Sequence, residues 1–405
     1  MDSENGKHTK NSVFWLLCLM GAFAILSSTM SKNPVLKPFA SSLDAPSGFW
    51  TGFVGSASTI PGILVSFPVA SLSDKLGRRR FLLVAAFVFA SAPFLYLFIT
   101  VWWQLILVRF YHGFATAIFV PVAEASIAEL YLKKRGERIS IFSSATYVGR
   151  VVAPLLGGYI LFATNSDFHV LYFAVGVAGL TALVTALPFL ATRKTQTVVM
   201  QQEMPKSIFY GWKKIVNNRG VLVASFAQAC EYYTFGAVEY FMAGYLPEVA
   251  HFDMLSTGII TGSFIAIPIF VKPYMGRISD KIGRRKPIII GLVVSGLPLI
   301  AVPFVTEFSV ILLLAIVYGL GFAAVTASTP ALVSELAPKE NVGAAMGFVD
   351  MIMDVGQTIG PIISGLILAT SFQYHGLFPS LTIILLTACI IFTVLGAGKK
   401  AEEQP

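Results

Sequence analysis

The chain is 405 residues long, 56% hydrophobic and only 12% charged, with a mean hydropathy of +0.75. That is too apolar for a soluble globular protein, and it leaves little chain for a soluble domain. The net charge of +8 would suit a nucleic-acid partner only if the basic residues shared a face, and their distribution along the chain excludes that.

A bilayer-crossing helix needs roughly 20 apolar residues. Such stretches are predicted at 13–31, 49–71, 81–101, 104–130, 139–163 and 169–192, then at 220–246, 255–277, 287–305, 308–334, 342–370 and 374–397, twelve in all. In hydrocarbon every backbone N–H and C=O must be paired within the segment, so even the Val-, Ile- and Phe-rich runs are predicted as helices. The first run follows a basic start but lacks a small-residue cleavage site, and it is read as a retained first helix rather than a signal peptide.

Between these spans the basic residues alternate in position. Lys7, Lys10, Lys75, Arg78, Arg79, Arg80, Lys133, Lys134, Arg135, Arg138, most of the cations from Arg193 to Arg219, Arg277, Lys281, Arg284, Arg285, Lys286, Lys339, Lys399 and Lys400 fall on one side, against Lys32 and Lys37 on the other. By the positive-inside rule both termini are cytoplasmic. The basic excess is therefore topological, and no nucleic-acid partner is expected. The stretch 193–219 is expected to be a cytoplasmic linker with a short amphipathic helix, Ile208, Phe209, Tyr210 and Trp212 acting as interfacial anchors, between bundles at 1–192 and 220–405. Cys18, Cys230 and Cys389 each stand alone in a span without metal or redox spacing and are read as packing residues.

The two halves repeat. Ser73-Asp74-Lys75-Leu76-Gly77-Arg78-Arg79-Arg80 aligns with Ser279-Asp280-Lys281-Ile282-Gly283-Arg284-Arg285-Lys286 at an offset of 206, which also carries Gly113 to Gly319 and Glu129 to Glu335. With one further residue, Ala153-Pro154-Leu155-Leu156-Gly157-Gly158 maps onto Gly360-Pro361-Ile362-Ile363-Ser364-Gly365. Parallel repeats related by an axis along the membrane normal place a solute site near mid-bilayer between them.

The two basic loops resemble the signature loop of the major facilitator superfamily: Gly, three residues, Asp, a basic residue, one more, Gly, then basic residues. Gly276 to Lys286 matches throughout, whereas the first copy has Ala70 at the leading Gly. Arg109 with Gly113 resembles the family's fourth-helix Arg-x-x-x-Gly pattern. The resemblance covers essentially the whole chain. It implies an all-α membrane protein of two pseudo-symmetric six-helix bundles, working as a secondary transporter by alternating access.

In each loop Gly77 or Gly283 permits a tight turn, and Asp74 or Asp280 can meet a helix N-terminus or a guanidinium. The resemblance implies that Asp74 faces the start of the eleventh span near Asn341, and Asp280 the start of the fifth near Ile139. Glu129 and Glu335 are positioned to pair with Arg78 and Arg284, so these residues together with Gly276 form a cytoplasmic latch. Orientation alone would need only the cations.

The fifth and eleventh spans carry Gly149-x-x-x-Ala153-Pro154-x-x-Gly157-Gly158 and Gly356-x-x-x-Gly360-Pro361-x-x-Ser364-Gly365. Small residues four apart let helices approach closely, and proline adds a kink. The first of these resembles a pattern of exporters in the drug/proton antiporter branch, with Ala153 in place of Gly and Arg150 intruding.

Ionisable residues inside spans are costly and mark function. Here they are Arg109, Glu124, Arg150, Glu231, Glu239, Asp350 and Asp354, with His112 beside the first and Lys272 on the eighth span. Helical spacing groups Ser143, Tyr147 and Arg150, then Gln228, Glu231 and Glu239, then Asp350, Asp354 and Gln357 into stripes, which are expected to line one aqueous cavity. A carboxylate there can exchange a proton as its surroundings change. Glu231 and Asp354 are the first candidates, followed by Asp350 and Glu124. For Arg109 the resemblance implies proton transfer or charge balance; a structural role is equally open.

The expected function is proton-coupled export of a small amphipathic or cationic solute, with proton-coupled import of an organic anion held by Arg109, Arg150 and Lys272 as the alternative. The partners expected are solute, protons and membrane lipid, for a monomer in the cytoplasmic membrane. No metal, cofactor or enzymatic activity is expected, and the lack of a Walker-type loop argues against ATP as the driving force. A non-transporting sensor would need a signalling segment that the short tails do not supply.

Overall fold

The computed structural model describes residues 2–131, 135–188, 217–337 and 342–395. Among them the only regular secondary structure is helical. In chain order the helices are α1 (Asp2–Met30), α2 (Leu36–Ser42), α3 (Phe49–Ser56), α4 (Ile60–Leu76), α5 (Arg78–Leu95), α6 (Trp102–Leu130), α7 (Arg135–Ala163) and α8 (Phe168–Ala186), then α9 (Arg219–Glu248), α10 (Met254–Ile282), α11 (Arg285–Ala301), α12 (Phe308–Leu336), α13 (Val342–Leu368) and α14 (Gln373–Val394). Single-turn 3-10 helices at Tyr96–Phe98 and Val302–Phe304 follow α5 and α11, at the repeat offset. The expected linker helix at 193–219 lies almost wholly outside the described residues.

Ten of these helices are long and apolar enough to cross a membrane. The other two expected spans differ for identifiable reasons. In α9, Gln228, Glu231, Tyr232 and Tyr233 dilute the apolar run. The span expected as one helix at 49–71 is instead two, α3 and α4, separated at Ala57, Ser58 and Thr59. Pro61 has no N–H to donate and its ring crowds the carbonyl of Ala57, which breaks the ladder. The break is closed locally by Thr59 Oγ1 donating to Ser56 O at 2.8 Å and Gly62 N donating to Thr59 O at 3.0 Å.

Contacts divide the chain into two compact units, Met1–Pro46 with Phe53–Gln196 and Phe252–Gly262, and Ser47–Gly52 with Thr197–His251 and Ser263–Pro405. In the first, α1 packs on α7 and α8, and α5 on α6 and α8; in the second, α9 packs on α13 and α14, and α11 on α12 and α14. The same pattern of neighbours thus recurs in each unit. Phe14, Leu17, Met20, Phe89, Phe119 and Phe142 fill the first core, and Val221, Ala224, Leu292, Leu332, Val349 and Phe392 the second.

Glycines set the closest crossings. A Cβ at Gly149 on α7 would lie 2.2 Å from Ala22 O on α1, and Cβ atoms at Gly356 and Gly360 on α13 would lie 2.3 Å from Ala229 O and 2.1 Å from Tyr233 O on α9. Corresponding seams recur elsewhere in each unit. In the first, Cβ atoms at Gly158 and Gly258 would lie 2.4 Å from Met254 O and 2.5 Å from Pro154 O; in the second, those at Gly365 and Gly52 would lie 2.4 Å from Gly48 O and 2.1 Å from Pro361 O. Gly157 faces the side chain of Met30 at 3.3 Å, a looser fit. The expectation of tight packing from Gly149, Pro154, Gly158, Gly356, Gly360 and Pro361 is thereby given specific partners.

Candidate functional site

In the first unit α6 starts with Gln104 Oε1 accepting from Thr100 N at 2.9 Å, and it carries Leu105, Arg109 and His112 on its buried face. Arg109 is 2% exposed. Its Nη1 donates to Ser31 Oγ at 3.4 Å, and its Nη2 donates to Ser58 Oγ in the break between α3 and α4. Gly113, one turn further on, is what lets that break come close: a Cβ there would lie 2.3 Å from Ser58 O. The proline-broken helix, the glycine and the arginine therefore form one local unit.

Behind Arg109, His112 Nδ1 lies 3.5 Å from both Ser31 Oγ and Tyr96 OH, and Tyr96 stacks on Tyr172 with centroids 4.3 Å apart. Among the described residues no carboxylate pairs with Arg109, and its Nε has no hydrogen-bond partner. A buried cation held only by hydroxyls keeps most of its desolvation cost uncompensated. Glu124 is half-buried on the same helix, and Arg150 is exposed on α7 with its guanidinium 5.8 Å from the Tyr147 ring.

In the second unit Asn218 caps α9, its Oδ1 accepting from Gly220 N at 3.0 Å while its Nδ2 donates to Leu336 O at 3.0 Å. This fixes the register of the helix that carries Glu231. That carboxyl group is fully buried: Oε2 accepts from Ser295 Oγ of α11 at 3.1 Å, and Oε1 has no hydrogen-bond partner among the described residues. The stripe of Gln228, Glu231 and Glu239, expected to line an aqueous cavity, is instead buried in the second unit, at 3%, 0% and 6% exposure. The spacing does put the three on one face, but that face is covered by protein rather than wetted. Asp350 is exposed and Asp354 half-buried on α13.

Two features of this unit escaped sequence reasoning. One is Ser295 itself. The other is an aromatic cluster of Tyr232, Phe235, Phe264, Tyr318 and Phe322, in which Phe235 stacks on Phe322 at 4.7 Å and Lys272 Nζ lies 5.4 Å from the Phe322 ring. The repeat places residues of different type at the matching positions. At an offset of 206, Tyr318 is the counterpart of His112 and Ser295 that of Phe89, and Phe89 packs edge-on against His112 at 6.2 Å.

Between the C-terminal ends of α10 and α12, Arg284 joins three groups. Its Nε donates to Glu335 Oε1 at 2.8 Å, its Nη1 donates to Ser279 Oγ at 2.9 Å, and its Nη1 also pairs with Asp280. Burial works against the charge of Arg284, yet the hydrogen bonds it donates to Glu335 and Asp280 hold its pKa above the ordinary arginine value. Gly283, at φ +86°, supplies the turn, as does Gly77 at φ +94° in the first copy. There Arg78 is half-buried, while the side chains of Asp74 and Glu129 lie outside the described residues, as does the expected partner Asn341. Gly276 has open space around it, with nothing within 4 Å of a built Cβ.

The family profile described as Major Facilitator Superfamily matches residues 13–253 and again 224–405. The chain belongs to the Major Facilitator Superfamily. It is accordingly a multi-pass membrane transporter and not an enzyme. Among the superfamily's curated proteins, a "Multi-drug resistance efflux pump PmrA homolog" of Lactococcus lactis is 26% identical over 371 residues, covering 86% of each chain. "Multidrug resistance protein MdtG" of Proteus mirabilis is 24% identical over 348 residues, covering 85% of this chain and 83% of its own. Within the superfamily this likeness is to the drug/proton antiporter branch. Among solved structures, a bacterial homologue of the human lysosomal transporter Spinster, described as inward-facing and unoccupied, superposes with a TM-score of 0.80 at 15% identity over 98% of both chains. The nucleoside transporter NupG gives 0.75 at 15% identity over 95% of this chain and 98% of its own. These two likenesses establish the fold.

Proposed function

We propose that this superfamily member exports a small amphipathic or cationic solute in exchange for protons, working by alternating access, with Glu231 as the principal proton site. One observation carries the reading: Glu231 is fully buried, holds a single neutral hydrogen bond and pairs with no cation among the described residues. An acid so placed is costly to ionise and responds strongly to any change in its surroundings. The relatives named as multidrug efflux pumps support the direction and the solute class. Asp354 and Asp350 on α13 are secondary proton sites and attract cations, while Glu239 and Glu124 add negative charge. Arg109 keeps the charge balance of the first unit.

In the same reading Asp280, Arg284 and Glu335, with Asp74, Arg78 and Glu129 in the first copy, latch the cytoplasmic side. The bundles at 1–192 and 220–405, joined by 193–219, are the moving bodies, and a single chain suffices. A second reading, proton-coupled import of an organic anion, is favoured by Arg109 having no carboxylate partner among the described residues. Purified protein in vesicles with an imposed pH gradient separates the two. Export by exchange drives a cationic dye such as ethidium up its gradient, against the direction of proton flow. Anion uptake that follows the proton gradient, with ethidium unmoved, would establish the import reading instead.

A further inference from the structure

We infer that Ser295 is a positioning residue for the proton on Glu231, serving as its hydrogen-bond partner in both the loaded and the unloaded state. This rests on the proposed reading of Glu231 as the proton site. A serine hydroxyl has one proton to donate and lone pairs with which to accept. Ser295 Oγ lies 3.1 Å from Glu231 Oε2 and 2.8 Å from Gly291 O, with Leu292 O at 3.4 Å. With Glu231 ionised, the hydroxyl donates to the carboxylate. When Glu231 takes up a proton it becomes a donor itself; Ser295 then accepts from it and swings its own hydrogen to Gly291 O. Neither state leaves that carboxyl oxygen without a partner, and no side chain has to move.

The serine is held in place by the tightest crossing of α11 with α12. A Cβ at Gly321 would lie 2.3 Å from Ser295 N, and one at Gly291 would lie 2.9 Å from Gly321 O. The backbone that carries the hydroxyl is therefore fixed by packing, and the exchange needs only rotation of the hydroxyl. Thr382 Oγ1 of α14 donates to Gly296 O at 2.7 Å and pins the next residue.

Other titratable groups stand on α9 and on the elements around it. Tyr318 on α12 is within electrostatic reach of Glu231 and Glu239, and Cys230 adjoins Glu231 on α9 itself. Glu335 stands at the far end of α12, Asp350 and Asp354 on α13, Tyr374, His375 and Cys389 on α14, Lys272 on α10, and Arg285 and Lys286 at the basic end of α11. Ser295 is the group that hydrogen-bonds to Glu231 among the described residues.

The test has two readouts on full-length protein. The first is ethidium transport in vesicles as a function of pH. The second is the infrared band of protonated carboxyl groups, titrated in the same samples, with Glu231→Gln identifying the contribution of Glu231. A hydrogen bond to a charged acceptor favours the ionised form, so Ser295→Ala moves both midpoints upward by about one pH unit. Ser295→Cys, close in shape but a weak donor, gives a smaller shift in the same direction and serves if the alanine variant does not insert. Unmoved midpoints in the inserted variants, with the Glu231 band present and assigned, overturn the role of Ser295 alone. A Glu231→Gln protein that keeps its pH dependence and its carboxyl band overturns the proton-site reading on which it stands.

Discussion

Arg109 and Glu231 sit in opposite electrostatic situations, one a buried cation held by hydroxyls and the other a buried acid with a single hydroxyl donor. Lysine at position 109 would keep the charge but present a point donor instead of a fork, so it cannot reach Ser31 and Ser58 together. Arg109→Lys is therefore expected to lower ethidium transport about tenfold or more, equivalent to ~1.4 kcal/mol of lost stabilisation, while inserting normally. Wild-type transport in that variant would show that charge alone is needed. The Arg284 cluster makes a different prediction. Glu335 is 41% exposed, and an exposed ion pair contributes only ~0.2–1 kcal/mol. Glu335→Gln and Asp280→Asn should then unfold near the wild-type temperature in a thermal melt yet transport more slowly, because the latch acts on the cycle rather than on the fold. Unchanged transport in both would reduce these charges to setters of topology. Sequence identified Arg109 and Glu231 by charge at an apolar position. It did not identify Ser295, because serine in a span is unremarkable until its partner across the crossing is known.

At the scale of elements, the signature loops and the glycine seams divide by mechanism. Gly276 has open space and an ordinary backbone, whereas Gly283 has φ +86°. Alanine at 276 is expected to change stability by less than about 0.5 kcal/mol, and alanine at 283 to cost ~1–2 kcal/mol because a Cβ strains the left-handed conformation. The first copy already carries Ala70 at the position matching Gly276, in agreement. Gly360→Ala is predicted to be worse than either, since its Cβ would meet Tyr233 O at 2.1 Å, and overpacking of this kind costs about 1–3 kcal/mol. Comparing the three by thermal unfolding in detergent checks the order; a Gly276 variant less stable than the Gly360 variant would contradict it. The spacing of small residues made such seams legible, but it named neither partner. Ala22, Ala229 and Tyr233 become partners only through their backbone carbonyls, which carry no residue-specific signal. The break at Pro61 was likewise missed, because small residues and proline are both tolerated within membrane helices, so Ser56, Ala57, Ser58, Thr59 and Pro61 do not by themselves mark an end.

For the whole molecule, competition between protons and a cation for the same acids has a thermodynamic consequence. Each proton released on binding makes affinity rise by up to about tenfold per pH unit. The stabilisation of purified protein by ethidium should therefore grow as the pH is raised from about 6 to about 8. Stabilisation independent of pH would break the link between solute and proton.

Composition and basic asymmetry determined the membrane setting, the repeat at offset 206 the two equivalent halves, and the two basic loops the resemblance to the superfamily. The helical membrane setting follows from what lipid demands of every backbone group, whatever the side-chain detail. Only tertiary structure decided which face of α9 is buried, which hydroxyls hold Arg109 and Glu231, and where α3 parts from α4. Those outcomes depend on which neighbour covers a given face, and the periodicity of a single helix carries no information about its neighbours.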